Sequence, residues 1–159
     1  MYNEPVNFSL REATPEDESL LFEVYVSTRI GELAETGWDD DQKRAFIRMQ
    51  FIARERTYPR ADNRIILLNG RPVGRILVKR DEAAIRLNDI ALLTEYRNAG
   101  IGSRLIKELM KEATSAGKPI TLHVLSSSPA VRLYERLGFR RSGDDESAYL
   151  EMKWVPAAG

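Results

Sequence analysis

Cysteine is absent from the 159-residue sequence, and histidine occurs once, as His123. The first absence excludes disulfide bonds, thiolate zinc sites and acyl-cysteine intermediates. The second excludes a metal cluster built from several histidines, and we expect no metal ion in the site. No apolar run approaches the roughly 18 residues of a membrane span. Whatever reaction the protein performs, it proceeds without the commonest covalent and metal groups.

Net charge is also missing, because 24 Lys and Arg residues balance 24 Asp and Glu residues. No overall field therefore favours nucleic acid or an anionic membrane, and we expect neither as a partner. Residues 1–5 lack the basic and apolar regions of a signal peptide, so a cytoplasmic location is the default. The length suits one domain over residues 1–159, with a core at about 7–153 and a frayed tail at 156–159.

Apolar periodicity predicts a strand at 8–11 and then two helices. The first helix places one apolar face toward the core, formed by Leu20, Leu21, Val24, Tyr25 and Leu33. The second begins at 39–42, and its predicted core stripe consists of Phe46, Met49 and Ala53, widened by Ile47 and Phe51.

The middle of the chain changes to the period of strands. Asn69 and Gly70, between the apolar runs 65–68 and 72–78, predict a type I′ hairpin turn. In the next strand, 85–92, the apolar positions are 85 and 87, then 90 and 92, so their parity flips. A β-bulge near Asn88 and Asp89 explains the flip. The alternative is a strand buried on both faces.

A helix with a clear apolar stripe follows from Ile101 and ends at Gly117. Its stripe consists of Leu105, Ile106, Leu109, Met110 and Ala113. A strand at 120–124 leads to a helix that Ser128 caps and Gly138 ends, with Ala130, Leu133 and Leu137 on its predicted inner face. Closing strands are predicted at 139–142 and 148–154. The order is β-α-α-β-β-β-α-β-α-β-β, and the β-α-β crossover around the third helix requires one parallel strand pair.

The segment 97–104 lies between the parity-flipped strand and a helix start. Gly100 and Gly102 allow close approach of a ligand, and the first helical amides with the helix dipole suit a pyrophosphate. Arg97 and Arg104 can add positive charge. The segment is neither a Walker A loop nor a dinucleotide fingerprint, because the required Lys and third glycine are missing. Taken alone, an ordinary helix start explains it equally well.

Two motifs together resemble the GNAT superfamily of N-acetyltransferases. Residues 97–102 match its Arg/Gln-x-x-Gly-x-Gly/Ala motif, and residues 128–139 resemble its Asn-Pro-Ala-x-x-Leu-Tyr-Glu-x-x-Gly-Phe signature. The resemblance covers roughly residues 7–153. It implies an α/β (α+β) fold with a mixed, mostly antiparallel central sheet of about six to seven strands, flanked by four helices, with a β-bulge in strand 4. Ser128 departs from the family's usual asparagine, which commonly helps to hold the cofactor.

The resemblance implies an acetyl-CoA-dependent N-acetyltransferase, in which a primary amine attacks the thioester directly in a ternary complex. It also assigns a set of cofactor-binding residues: Ile90, Ala91, Leu92, Arg97, Asn98, Ala99, Gly100, Ile101, Gly102, Ser103, Ser128 and Tyr134. Within this set the Leu92 amide is the expected oxyanion donor.

Tyr134 matches the family's usual general acid, which protonates the departing thiolate. Packing inside its helix is the alternative role. His123 stands where some relatives carry a catalytic glutamate, and histidine titrates in the useful range. A structural or surface role for His123, Asp89 as the base, and a water chain to solvent are the alternatives.

By resemblance the first two helices form a wall of the acceptor site, which includes Tyr25, Arg29, Trp38 and Asp39. Asp39 also suits a helix cap without any further role. The acceptor is a small-molecule or peptide amine, and a homodimer is possible because relatives often form one. A catalytically silent acyl-CoA-binding sensor or scaffold is the alternative function, and a nucleotide-binding regulatory domain is a third.

Overall fold

A computed structural model describes residues 7–57, 62–143 and 148–157. These residues form seven strands and four α-helices in the predicted order. Their bounds are β1 (Phe8–Glu12), α1 (Glu18–Arg29), α2 (Asp40–Thr57), β2 (Asp62–Leu68), β3 (Arg71–Arg80), β4 (Ile85–Leu92), α3 (Ile101–Ala116), β5 (Ile120–Leu125), α4 (Ala130–Arg136), β6 (Arg140–Arg141) and β7 (Tyr149–Trp154). Residues 1–5 and 158–159, on which the signal-peptide argument and part of the predicted tail depend, lie outside the described residues.

The strands form a seven-stranded sheet in the order β1-β2-β3-β4-β5-β7-β6. Strands β1 and β2 pair antiparallel, as do β5 with β7 and β6 with β7. Strands β4 and β5 pair in parallel, with 85–87 opposite 120–122. The predicted crossover and the mixed, mostly antiparallel sheet with four helices are confirmed.

The chain divides into two compact units. Unit 1 comprises residues 1–77 and 89–97, and unit 2 comprises 78–88 and 98–159, so β3 and β4 contribute to both. The core of unit 1 packs α1 and α2 around one apolar cluster, which contains Leu21, Phe22, Tyr25, Val26, Ile47, Phe51 and Ile65. The expectation of one domain stays a prediction.

The start of α1 is fixed by a carboxylate. Asp17 Oδ1 and Oδ2 each accept a 2.8 Å hydrogen bond from the Arg11 guanidinium, and Oδ2 also accepts one from the Thr14 amide. These donors, Arg11 first, hold the pKa of Asp17 well below its usual range. Helix α1 ends at Arg29, so Leu33 lies in the following 3-10 turn and not in the helix itself.

The predicted orientation of α2 is wrong. Ile47 and Phe51 are its buried residues, whereas Met49 is 71% exposed and Phe46 38% exposed. Ala53 is also exposed. Both sides of this helix are apolar, and the tertiary structure selects the side whose aromatic ring, Phe51, contacts the rings of Phe22 and Tyr25 at 5.6 and 5.7 Å.

In unit 2 the stripe of α3 is confirmed, since Leu105, Ile106, Leu109 and Ala113 are buried and Met110 is half-buried. The predicted inner face of α4 is wrong, because Val131 and Tyr134 are the buried residues of that helix. Ala130, Leu133 and Leu137 are half-buried. With only seven residues, α4 has too few turns for its apolar pattern to define one face.

The hairpin between β2 and β3 has the predicted turn. Asn69 and Gly70 have φ angles of 51° and 80°. A type I′ turn requires positive φ at both central positions, which asparagine and glycine tolerate best.

Candidate active site

The backbone of Ala91 and Leu92, at the end of β4, lies directly against Gly74 on β3. A Cβ atom at Gly74 would stand 2.2 Å from the Ala91 carbonyl oxygen and 3.0 Å from Leu92 Cα. Only glycine therefore fits at position 74. The carbonyl and amide hydrogen of a trans peptide point in opposite directions, so the Leu92 amide hydrogen points away from Gly74. This orientation leaves the expected oxyanion donor directed away from β3.

The end of β4 departs from a regular strand. Burial alternates from Ile85 to Leu87, and every residue from 88 to 92 is half-buried. In a flat ladder the carbonyls lie in the plane of the sheet, whereas the Ala91 carbonyl occupies the place of a Cβ substituent on Gly74. A bulge turns a peptide in this way, so these contacts support the bulge, which itself stays a prediction.

Asp89 belongs to a group of four charged side chains on α2, β3 and β4. Arg75 is 3% exposed, and its Nε donates to Asp89 Oδ2 at 3.1 Å while its Nη1 donates to Glu55. Arg54 Nη2 lies 3.4 Å from the other Asp89 oxygen. A buried guanidinium requires such carboxylate partners. Both Asp89 oxygens thus face cations, an arrangement that favours a structural role for Asp89 over proton abstraction.

Arg97 joins the end of β4 to α1. Its Nε donates to the Leu92 carbonyl at 3.1 Å, and its Nη2 donates to the Ser27 hydroxyl at 3.0 Å. The sequence predicts that Arg97 adds charge to an anion site. In the structure two of its guanidinium donors hold the main chain that follows the expected oxyanion donor, and the cofactor role of Arg97 stays a prediction.

In unit 2 the glycine loop forms the predicted helix start. Asn98 and Gly100 have positive φ angles of 63° and 83°. The first hydrogen bond of α3 runs from the Arg104 amide to the Gly100 carbonyl at 3.1 Å. The amides of Ile101, Gly102 and Ser103 precede that bond, and such amides have no acceptor inside their helix. No acidic residue occupies the first turn, so nothing there opposes an anion.

Pro129 directly precedes α4, and Ser128 bonds the start of the helix from one residue further back. Its hydroxyl accepts from the Ala130 amide at 3.1 Å, and its carbonyl accepts from the Val131 amide at 3.2 Å. Tyr134 is 8% exposed, and its ring meets Phe139 edge to face with the centroids 5.6 Å apart. The packing role of Tyr134 is observed, and its role as general acid stays a prediction.

His123 lies on β5 directly opposite Glu151 on β7. Its Nε2 is 3.6 Å from Glu151 Oε2, and its side chain is 66% exposed. The geometry is compatible with a base and equally with a surface pair.

The predicted acceptor-binding residues all lie in unit 1, and they differ from one another in burial and in contacts. Tyr25 is buried, with the Arg29 and Arg54 guanidinium carbons 5.2 and 5.6 Å from its ring centroid. Trp38 is exposed, and its ring meets Phe46 edge to face with the centroids 5.4 Å apart. Asp39 accepts from the Gln42 amide at 2.8 Å, so its capping role is observed.

Sequence reasoning missed Gly74, Arg75 and Ser27. A glycine inside a strand pattern signals close approach of another backbone, and that rule identifies Gly74. An arginine in the middle of an apolar strand signals a buried charge that needs partners, and that rule identifies Arg75. The contact of Ser27 with Arg97 joins residues far apart in the chain and has no local signal.

Among residues 7–57, 62–143 and 148–157, no three histidine or acidic side chains gather in a way that could hold a metal ion. None of the helices in this described part combines the length and the apolar character that crossing a membrane requires.

Comparison with curated proteins finds relatives for part of the chain. The cysteine-rich protein 2-binding protein of Mus musculus is 41% identical over 40% of this chain and 8% of its own length. An N-alpha-acetyltransferase of Sulfurisphaera tokodaii is 38% identical over 38% of this chain and 42% of its own length. The matched segments thus span less than half of either relative.

Solved structures resemble this chain over nearly its whole length. The PaiA N-acetyltransferase of Thermoplasma acidophilum, in complex with coenzyme A, has a TM-score of 0.70 at 20% identity and covers 94% of this chain and 99% of its own. The ribosomal-protein-S18-alanine N-acetyltransferase of Escherichia coli has a TM-score of 0.62 at 19% identity, with 96% and 97% covered. At these identities the similarity concerns the fold. The acetyltransferase (GNAT) domain profile matches residues 37–156, which is most of the chain, and the protein therefore belongs to the GNAT acetyltransferase family.

Proposed function

We propose that the protein transfers the acetyl group of acetyl-CoA to a primary amine, which attacks the thioester directly in a ternary complex. The observation that carries this proposal is the contact between Gly74 and the Ala91 carbonyl, which directs the Leu92 amide hydrogen away from β3. An amide fixed in this way is an oxyanion donor that needs no reorganisation during the reaction.

The cofactor roles follow the family motifs. The amides at the start of α3, within residues 98–103, bind the pyrophosphate, because a helix N-terminus without acidic side chains attracts an anion. Main-chain groups of Ile90, Ala91 and Leu92 bind the pantetheine and acetyl portions. The Ser128 hydroxyl is engaged with the Ala130 amide, so serine supports the helix start more than it holds the cofactor.

Tyr134 is the proposed general acid, since a phenol is protonated at neutral pH and can donate to a thiolate. His123 is the proposed general base, and a water chain is the alternative. Asp89 is the weakest of the three candidates for the base, because its two oxygens face Arg75 and Arg54. The acceptor is a small-molecule or peptide amine, and the names of the relatives make peptide α-amines the first class to test.

Activity is tested by following free CoA thiol across a panel of polyamines, amino acids and peptides with free N-termini. Thiol release that depends on an amine supports the proposal. Coenzyme A that raises the melting temperature without turnover on any amine would instead favour the silent acyl-CoA-binding module. Absence of both effects would contradict either function.

The base is tested with His123→Ala, alongside Glu151→Gln as the matched change of its neighbour. We expect His123→Ala to abolish the acidic limb of the pH profile of kcat/KM, because that limb reports the protonation of the base. The Glu151→Gln variant, which leaves the imidazole in place, should keep that limb. A profile unchanged by His123→Ala would eliminate His123 and leave the water chain or Asp89 as the base.

Cytoplasmic location stays a prediction from the sequence.

A further inference from the structure

Helix α2 is apolar on two opposite sides. Its inner side buries Ile47 and Phe51, which are 0% and 2% exposed. Its outer side carries a second apolar set, here called the outer stripe: Ala45, Phe46, Met49, Ile52 and Ala53. Every member of the outer stripe is exposed, Met49 by 71%, Ile52 by 40% and Phe46 by 38%. A helix on the surface of a monomer normally presents polar residues to water, so this face is built to be covered.

The spacing of the outer stripe is that of a helix-helix seam. Its members fall at positions 45 and 46, then 49, then 52 and 53, which alternates steps of three and four residues. This repeat places all five side chains on one side of an α-helix and suits a second helix packed alongside.

The outer stripe is symmetric about Met49. Counting outward from Met49, Phe46 mirrors Ile52 and Ala45 mirrors Ala53. A two-fold axis through Met49 therefore brings large side chains against large ones and alanine against alanine. Such self-complementarity is what an isologous interface between identical chains requires, because each contact then occurs twice.

The charges at the helix ends select an antiparallel arrangement. Asp40 and Asp41 occupy the first turn of α2, and Arg56 lies in its last turn. In an antiparallel pair the acidic start of one copy meets the basic end of the other, and the helix dipoles oppose one another. A parallel pair would place like charges together. Gln42 then lies opposite Arg56, which completes the polar rim of the seam.

We infer that the outer stripe binds a second copy of this chain, with the two α2 helices antiparallel and Met49 on the two-fold axis. The inference is independent of the proposed acetyl transfer, since it rests on the exposed residues of one helix in unit 1. A wild-type protein that stays monomeric in the test below would leave the outer stripe to a partner of another kind and would overturn the inference.

Light scattering or sedimentation equilibrium on the full chain measures the dimer, over a concentration series reaching about 100 μM, where micromolar affinity gives mostly dimer. We expect the mass to double along the series. The Met49→Arg variant should weaken the dimer by about 100-fold or more, because two guanidinium groups meet at the axis. The matched control is Val155→Arg, which changes another exposed apolar residue, 63% exposed and outside α2, and should dimerise normally.

The absence of cysteine allows the register to be read by cross-linking, because a single introduced thiol is unique. Under mild oxidation Met49→Cys should form a disulfide with its own copy. An equal mixture of Phe46→Cys and Ile52→Cys should give mixed disulfide well above the one half that random pairing produces, as an antiparallel pair predicts.

Three results would overturn the inference. The first is a wild-type protein that stays monomeric throughout the series. The second is a dimer that Met49→Arg leaves intact, since the interface would then lie elsewhere. The third is a preference for the Phe46→Cys homodimer, which indicates parallel helices. Circular dichroism of each variant confirms that α2 is folded, and Met49→Gln provides a milder change should arginine disturb it.

Discussion

Replacing Gly74 with alanine tests the central geometric argument for catalysis. The added Cβ would stand 2.2 Å from the Ala91 carbonyl oxygen, and ordinary contact begins at 3.4 Å. The Ala91–Leu92 peptide must therefore retreat by about 1.2 Å, the difference between the two distances. Because the peptide is planar, the Leu92 amide moves with it. A hydrogen bond lengthened by that amount is effectively lost.

Two magnitudes follow from this displacement. Removal of one oxyanion donor lowers kcat by about 10²–10³-fold. Overpacking costs about 1–3 kcal/mol of unfolding free energy, which a domain of ordinary stability tolerates. We therefore expect Gly74→Ala to be folded and to lose kcat by a larger factor than its affinity for coenzyme A, because the proposed pyrophosphate amides lie elsewhere, within residues 98–103.

The assay combines steady-state kinetics on an amine identified by the panel with thermal shift by coenzyme A. Gly31→Ala is the matched control, because a Cβ atom at Gly31 would meet nothing within 4 Å and the residue has no positive φ. The control should keep its kcat. Full activity of Gly74→Ala would refute the assigned orientation of the Leu92 amide. Loss of coenzyme A binding in proportion to kcat would show a general structural effect in its place.

Two further predictions concern stability. Asp17→Asn should lower the unfolding free energy by about 2 kcal/mol at neutral pH, because the charged hydrogen bonds from Arg11 are lost. The native pKa of Asp17 is depressed, so this contribution is present above the unfolded-state pKa of about 4 and fades as the pH falls. Denaturation of wild type and variant across that range should show the difference in unfolding free energy closing as the pH falls. A difference that stays constant would contradict the assignment. Arg75→Met should cost about 3 kcal/mol in urea unfolding, because Asp89 and Glu55 lose their buried cation, and an unchanged midpoint would show that the ion group contributes nothing.

Local chemistry explains where sequence reasoning succeeded. Asn69 and Gly70 specify their turn because the required backbone angles suit few other residues. The α3 stripe predicts its buried side because the opposite side is strongly polar. The bond between the Ser128 hydroxyl and the start of α4 is predictable because it spans only two residues. Each of these features is decided within a few positions of the chain.

Tertiary structure decided the features that sequence reasoning missed. The two sides of α2 are both apolar, so periodicity cannot say which one faces Phe22 and Tyr25. Asp89 stands beside the predicted bulge, and its candidacy as a base depends on Arg75, fourteen residues away, and on Arg54 from α2. The roles of such residues depend on neighbours that come together only on folding.

The turn at Asn69 and Gly70 is also a site at which the protein can deamidate. It is the one Asn-Gly pair in the sequence, and glycine offers no side chain to hinder attack of its own nitrogen on the preceding carboxamide. That attack expels ammonia, and water then opens the resulting succinimide to aspartate or isoaspartate. Isoaspartate inserts an extra methylene into the main chain between β2 and β3. Deamidation at Asn69 would therefore disturb the register of this hairpin in an ageing preparation. The added negative charge would reveal the modified protein.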